Sequence, residues 1–266
     1  MTLALSDDWL TALRQRFLLP HLRRGMTSLE IGAFARPNLV GPDFVARFLD
    51  FYSTAELQEQ SRQSGLDPAA VMPVDYVVRG EDYTQAVDRQ FDIVVANHVL
   101  EHIANPVRWL NMIACLTRPG GYLFIALPEK RAGFDRFRDE TSLAHILADY
   151  LIEGRDLVAE HSLETYLYYD RQYIGQERSI EVSLAPEKLR DALGAHHPGV
   201  HCHVFGGASF PDKILRPLVH MQLIPWSLAA YQAETPAGEF YVLLQLAPGE
   251  SGLTSAAFFA ALAGPA

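Results

Sequence analysis

Polar side chains follow three of the apolar runs that read as strands, and their chemistry suits a small polar ligand. Glu30 and Gly32 close the first run, Asp50 closes the second, and Asn97 and His98 follow a third. A glycine lets a ligand approach the backbone, whose N–H groups can receive a carboxylate or phosphate. An acid about 20 residues beyond such a glycine is placed to bind the two hydroxyls of a ribose. The sequence therefore predicts a nucleoside site at these strand ends.

The elements that must position these residues alternate between strand and helix along most of the chain. We predict strands at 27–32, 46–52, 72–78, 91–96, 122–127, 200–205 and 240–246, with a helix over 214–231 between the last two. Such alternation is typical of a parallel, doubly wound α/β sheet with right-handed crossovers. Ligands of these sheets bind at the carboxyl ends of the strands, which is where the polar residues fall.

Composition narrows the class of partner. The 266 residues are 49% hydrophobic and carry a net charge of −10, which argues against a nucleic-acid-coating protein. We find no targeting segment and no apolar run of about 20 residues, the length that a membrane span requires. Cys115 and Cys202 both lie in apolar strings, as expected of buried thiols in a reducing compartment. These observations predict a cytoplasmic protein without a membrane span.

The order of motifs resembles that of class I S-adenosylmethionine-dependent methyltransferases, most closely a type 11-like subgroup. The matching features are Leu29-Glu30-Ile31-Gly32, Asp50, Asp75, the run from Phe91 to His102, and Arg118-Pro119-Gly120-Gly121. The resemblance covers roughly residues 25–130. It implies one methyltransferase domain over 1–266, built on a Rossmann-like, seven-stranded, mostly parallel sheet with helices on both faces. Residues 129–185, rich in charge and tyrosine, would form a cap inserted between strands 5 and 6.

The resemblance also implies a cofactor, S-adenosyl-L-methionine, and a role for each matching residue. Glu30 would contact the methionine amino group through the loop, and Gly32 would allow close backbone approach. Asp50 would hold the ribose, Asp75 the adenine edge, and the carbonyl of Asn97 the methionine end.

The loop after the first strand departs from the family pattern. Phe34 and Arg36 stand where the family commonly has further glycines. Ala33, Phe34 and the strand-end residue Phe51 are nevertheless included in the predicted cofactor site. The altered loop favours an alternative, a non-catalytic binding or scaffold protein that keeps the fold. Asp82, or backbone groups near Gly80, are the alternatives to Asp75 for the adenine edge.

The string from His98 to His102 supplies candidates for the chemistry. Either histidine could act as a general base that takes a proton from an acceptor hydroxyl, because imidazole titrates near neutral pH. The string also matches the H-x-x-E-H pattern of inverted zinc peptidases, which would place both histidines on one helix face. Some methyltransferases of this type hold a divalent ion with E-x-x-E-H. A set of His98, Glu101 and His102 with His145 or His161 is therefore a further alternative, although we assign no metal ligand.

Two further clusters of residues remain open to interpretation. The histidines at 196, 197, 201 and 203 are expected on a solvent-facing strand edge. The tyrosines from Tyr166 to Tyr173 would line an acceptor pocket, form a dimer contact or fill the cap.

The predicted function is methyl transfer to a hydroxyl of a small-molecule or saccharide acceptor. A homodimer is the partner expected beyond the acceptor.

Overall fold

One seven-stranded mixed sheet organises the chain. The computed structural model describes residues 5–80, 82–152, 159–165 and 200–248. The strands are β1 Met26–Ile31, β2 Phe44–Asp50, β3 Tyr76–Val77, β4 Phe91–Asn97, β5 Thr117–Pro128, β6 Trp226–Gln232 and β7 Glu239–Leu246. Their order is β3-β2-β1-β4-β5-β7-β6, and only β7 runs antiparallel to its neighbours. The predicted fold class is confirmed. The order reverses between β1 and β4, where a ligand site is expected.

Helices cover both faces of this sheet. They are α1 Trp9–Leu18, α2 Thr54–Gln63, α3 Pro106–Leu116, α4 Leu143–Leu151 and α5 Arg216–His220, the last preceded by a π-helical turn Pro211–Leu215. Along β4, Ile93 and Val95 pack with Leu18 of α1, whereas Val94 and Ala96 pack with the core under α3. Both faces of β4 are thus buried, which explains its continuous apolar sequence. No helix among the described residues has the length and apolarity to cross a bilayer.

Local sequence signals explain where the helices begin. Ser53 and Glu56 form a capping box at α2, in which each side chain bonds the other's backbone N–H. At α3 the Asn105 side chain accepts from the N–H of Arg108, and Pro106 occupies the first turn. These caps fix the helices that follow β2 and β4, and so the loops at the carboxyl edge of the sheet.

Two predictions about the last third of the chain are wrong. Residues 200–205 form no strand, and the predicted helix over 214–231 ends at His220. The sixth strand is instead 226–232, which pairs antiparallel with β7 at the sheet edge. Residues 200–205 are held between other loops: the N–H of His203 donates to the carbonyl of Glu101, and Val204 accepts from Thr141.

The expected solvent-facing histidine edge is also wrong. His201 is 7% exposed and His203 is fully buried, because the segment is enclosed by the residues after β4 and by those before α4. Burial lowers the pKa of the His203 imidazole to about 3, so that ring is neutral at pH 7. His196 and His197 lie outside the described residues.

The predicted cap lies between β5 and β6 and is described only in part. Within it, Arg138 is buried and donates to Asp135 and to the carbonyl of His201. Ile146 of α4 is buried in the main core. The described part of the insertion is thus anchored on the domain. The tyrosines of 166–173 lie outside the described residues.

Candidate functional site

A cavity of about 400 Å³ opens at the carboxyl ends of β1 and β4. It is lined by the loop 32–36, by Asn97 and His98 after β4, and by Leu10, Arg14 and Glu239. The structure therefore brings the predicted Gly32, Ala33, Phe34, Asn97 and His98 to one place.

The loop after β1 turns through two left-handed residues. Gly32 has a φ of +67° and its N–H donates to the carbonyl of Leu49, which ties the loop to β2. Phe34 has a φ of +48°, in the left-handed region, which is energetically unfavourable for any residue that carries a side chain. Its carbonyl accepts from the N–H of Met72 at 2.8 Å, which holds the turn in place. The loop thus lines the cavity without the further glycines of the family pattern.

Glu30 lies behind this loop and is fully buried. Its carboxylate accepts from the backbone N–H of Asn38 at 2.8 and 2.9 Å and from the Asn38 side chain at 2.6 Å. The Asn97 amide nitrogen lies 3.5 Å away. Burial raises the pKa of Glu30 to about 7, against the opposing effect of the hydrogen bonds from Asn38. Glu30 thus anchors the far end of the loop.

This raised pKa makes Glu30 a source of pH-dependent stability. Between its unfolded value of 4.5 and about 7 the folded chain binds the proton and the unfolded chain does not, so stability falls as pH rises. We expect that Glu30→Gln, which stays neutral, gains up to about 3 kcal/mol relative to the parent between pH 5 and 8. Denaturant unfolding of both proteins across this range measures the difference. A difference independent of pH would contradict the assignment.

Asp50 ends β2 beside the loop. Its neighbour Leu49 pairs with Ile31, which places Asp50 level with Gly32. The Asp50 carboxylate accepts from the N–H of Tyr52 at 2.9 Å, and burial raises its pKa. Phe51 is 44% exposed.

Asp75 lies one residue before β3, at the amino end of that strand, whereas Asp50 lies at the carboxyl end of β2. Its carboxylate accepts from the N–H of Phe48 at 2.8 Å and pairs with Arg47 at 3.2 Å. The structure therefore does not bring Asp75 to the strand ends. Asp82 lies beyond β3, where its side chain accepts from the N–H of Thr84.

A chain of ion pairs, buried at Arg14 and Glu239 and exposed at His98, forms one wall of the cavity. Arg14 of α1 donates to the Glu239 carboxylate at 2.5 and 3.1 Å, and the Nε2 atom of His98 lies 2.6 Å from Glu239 Oε1. On its other side, Nδ1 of His98 lies 3.3 Å from the buried Glu101. Arg14 and Glu239 are functional candidates that the sequence interpretation missed, since they lie 225 residues apart and in no motif.

The protonation of His98 follows from these neighbours. Burial opposes its charged form, but the carboxylates of Glu101 and Glu239 outweigh burial and raise its pKa to about 9. The hydrogen bonds and positive charges of His98 and Arg14 lower the pKa of Glu239 to about 2, against the opposing effect of burial. At neutral pH His98 is therefore an imidazolium at the cavity wall, and it cannot accept a proton there.

His102 has the opposite character. Burial lowers its pKa, so the ring is neutral at pH 7. Its Nδ1 lies 2.9 Å from the carbonyl of Val200, and since a carbonyl only accepts, Nδ1 carries the proton. The lone pair is left on Nε2, which lies 4.0 Å from Glu101. His102 thus has the protonation state that a general base requires.

The backbone of this string excludes the predicted helical arrangement. His98 has a φ of +52°, and Leu100–His102 is a single 3-10 turn. The two histidines therefore do not share one face of an α-helix, as the zinc-peptidase interpretation requires. Glu101, His102 and His201 do lie close enough to share a cation.

Comparison with known protein families decides the class of this fold. The family model described as a methyltransferase domain matches residues 8–210. The chain belongs to this family. The match spans β1 to β5 and most of the inserted segment, and it confirms the predicted resemblance. Membership of the family supports a methyltransferase enzyme that uses S-adenosylmethionine.

Curated proteins that this chain resembles share one name. A ubiquinone biosynthesis O-methyltransferase of Methylobacterium sp. (strain 4-46) is 30% identical over 105 residues, 35% of this chain and 40% of that protein. The protein of that name from Parvibaculum lavamentivorans is 32% identical over 75 residues, 27% of this chain and 30% of its own length. The matched segments thus span two fifths or less of these relatives.

Solved structures include a similar chain, the 1,6-didemethyltoxoflavin-N1-methyltransferase of Burkholderia thailandensis. It is 13% identical, with a TM-score of 0.47, over 91% of this chain and 80% of that chain.

Proposed function

We propose that this methyltransferase domain transfers a methyl group from S-adenosylmethionine to a hydroxyl of a small-molecule or saccharide acceptor. The observation that carries the proposal is the cavity of about 400 Å³ at the ends of β1 and β4, where Gly32 faces Asn97 and His98. It coincides with the reversal of strand order, the place where such sheets bind ligands. The relatives named as O-methyltransferases favour oxygen as the acceptor atom.

We infer the cofactor contacts from the residues in and around the cavity. The backbone of Gly32 permits close approach, and the carbonyl of Asn97 is our candidate partner for the methionine ammonium. Arg36, an exposed cation on the cavity wall, is our candidate for the methionine carboxylate and offsets the missing glycines. Asp50 binds the ribose from the end of β2. We assign the adenine edge to the region of Asp82, because Asp82 follows β3 whereas Asp75 precedes it.

Proton removal from the acceptor is assigned to one histidine. Methyl transfer from a sulfonium is an in-line displacement, which requires alignment and, for a hydroxyl acceptor, a base. His102 does not itself line the cavity, but it lies in the turn that follows the cavity-lining His98, and we infer that its neutral ring serves as that base. His98 is cationic and orients the acceptor from the cavity wall. The cytoplasmic location and the homodimer stay predictions.

Asp50→Ala tests the ribose contact. A charged hydrogen bond contributes about 1.5–3 kcal/mol, so we expect S-adenosylhomocysteine to bind roughly ten- to a hundredfold more weakly. Calorimetric titration measures the affinity, and circular dichroism checks the fold. Asp88→Ala, at an exposed acid away from the cavity, is the matched control and should bind normally. An Asp50→Ala protein that is folded and binds as tightly as the parent would remove Asp50 from the site.

Turnover tests the reaction itself. The purified chain is incubated with methyl-labelled S-adenosylmethionine and panels of phenols, sugars and amines, and label transfer is followed by mass spectrometry. We expect transfer to hydroxyl acceptors. Transfer to nitrogen alone would overturn the oxygen assignment. Cofactor binding without transfer to any acceptor would favour the non-catalytic alternative suggested by the altered loop.

A further inference from the structure

A second cluster of histidines lies between the inserted segment and the loop that carries His203, and none of its members lines the cavity. His145 and Asp149 are four residues apart on α4, so their side chains share one face of that helix. His161 comes from the helical residues 159–165, and His203 from the loop before the π-helical turn. Three of the four are buried, and His145 is partly exposed. We propose that these four residues form a binding site for a divalent transition metal of the zinc class.

The spacing of the ligand atoms fits such an ion. The Nε2 atoms of His145, His161 and His203 lie 3.2, 3.5 and 3.8 Å from Oδ2 of Asp149. Metal–ligand bonds of about 2.0–2.2 Å in tetrahedral geometry separate neighbouring ligand atoms by about 3.3–3.6 Å. One nitrogen or oxygen from each of the four residues lies within 4.8 Å of all the others. A small adjustment of side chains therefore brings all four to one ion.

The three rings are arranged around a common point. Their centroids lie 5.1 Å apart for His145 and His161, 5.7 Å for His145 and His203, and 4.8 Å for His161 and His203. Each pair is steeply inclined, at 61° to 78°. Imidazoles that bind one ion through their nitrogens converge in this way, whereas packed core rings need not present nitrogens to one carboxylate oxygen.

Hydrogen bonding does not account for these buried imidazoles. His161 is 1% exposed, and neither of its ring nitrogens makes a hydrogen bond within the described part of the chain. The nearest hydrogen-bond acceptor of His203 Nε2, the carbonyl of Ala104, is 3.4 Å away, beyond the usual 2.7–3.2 Å range. Buried polar groups that lack partners are costly, and a metal ion would bind one nitrogen of each ring at once.

The chemistry of the donor set selects the class of ion. Imidazole nitrogen with one carboxylate suits Zn²⁺ and its neighbours in the first transition series, whereas Mg²⁺ and Ca²⁺ prefer oxygen ligands. Four protein ligands without an open position are typical of structural zinc sites. An ion here would link α4 and residues 159–165 to the loop that carries His203. The N–H of His203 donates to the carbonyl of Glu101, so the ion would also brace the string that carries His98 and His102.

Metal content is the primary test, and it does not depend on methyl transfer. The full chain is produced without a histidine tag, passed through a desalting column, and analysed by elemental mass spectrometry. We expect one retained transition-metal ion per chain. Chelation should lower the melting temperature, and Zn²⁺ added to the chelated protein should restore it. Co²⁺ added in place of Zn²⁺ should give the intense visible absorption of a four-coordinate site.

Four variants locate the ion. His161→Ala and Asp149→Asn should each weaken Zn²⁺ binding more than about 100-fold, since a lost ligand costs at least as much as a lost outer-shell partner. His220→Ala, at an exposed histidine, should retain the ion. His102→Ala should also retain it, because His102 belongs to the other cation-competent group, with Glu101 and His201.

Two results would overturn the proposal. The first is a parent chain that retains no metal and shows no shift in melting temperature with Zn²⁺ or Co²⁺. The second is metal that is lost from His102→Ala but kept in Asp149→Asn, which would place the ion beside Glu101. If His161→Ala does not fold, Zn²⁺ binding by the near-isosteric Asp149→Asn and the Co²⁺ spectrum of the parent still test the proposal.

Discussion

Replacing Glu239 with alanine is expected to cost the fold about 3–5 kcal/mol, the largest loss of stability that we predict for one residue. The side chains of Arg14 and Glu239 are only 5% and 4% exposed. Removing the carboxylate leaves the guanidinium buried without its main partner, and it also removes one of the two acids beside His98. Denaturant unfolding followed by tryptophan fluorescence measures the loss.

An exposed ion pair provides the matched control. Asp212 pairs with Arg216 at 3.0 Å, but both side chains are largely exposed. Asp212→Ala should therefore change stability by less than about 1 kcal/mol. A similar small effect for Glu239→Ala would show that the Arg14–Glu239 pair is not a stabilising element. The near-isosteric Glu239→Gln should lower the pKa of His98 below 9 in an NMR titration.

Replacing His102 with alanine is expected to lower turnover by about 10²–10⁴-fold while cofactor affinity stays nearly unchanged. The reason is that His102 holds a free lone pair on Nε2, whereas His98 is protonated between two acids. Steady-state kinetics with a hydroxyl acceptor from the turnover assay measures kcat, and calorimetry measures binding of S-adenosylhomocysteine. His220→Ala, at an exposed histidine, should leave both unchanged.

The pH profile separates the two histidines. With His102 as base, kcat should fall only below about pH 6.5, because burial holds its pKa under the ordinary value. The rate should be level between pH 7 and 8.5. A rate that continues to rise towards pH 9 would instead identify His98 as the proton acceptor, since its pKa is about 9.

The sheet was predictable where both faces of a strand are buried. The apolar run in β4 encodes a buried strand locally, and this prediction is confirmed. The strand 226–232 was missed because Leu228, Ala229 and Ala230 favour a helix as readily as a strand. Its pairing with β7, which the local sequence does not record, decides its structure.

The candidate site could be predicted only where its residues directly follow strands. Gly32, Asn97 and His98 line one cavity because the carboxyl ends of parallel strands meet at one edge. The predicted strand 72–78 begins too early, since β3 comprises only Tyr76–Val77, and Asp75 therefore precedes it. Arg14 and Glu239 could not be found, since their pairing depends on the docking of α1 against the end of β7.

Calorimetric titration of S-adenosylhomocysteine is the most direct test of the central claim, that the cavity at the ends of β1 and β4 holds the cofactor. The parent chain should bind one equivalent. Ala33→Trp, which fills the cavity from the loop after β1, should abolish binding while circular dichroism shows an unchanged fold. No binding by the folded parent, or equal binding by folded Ala33→Trp, would contradict the account.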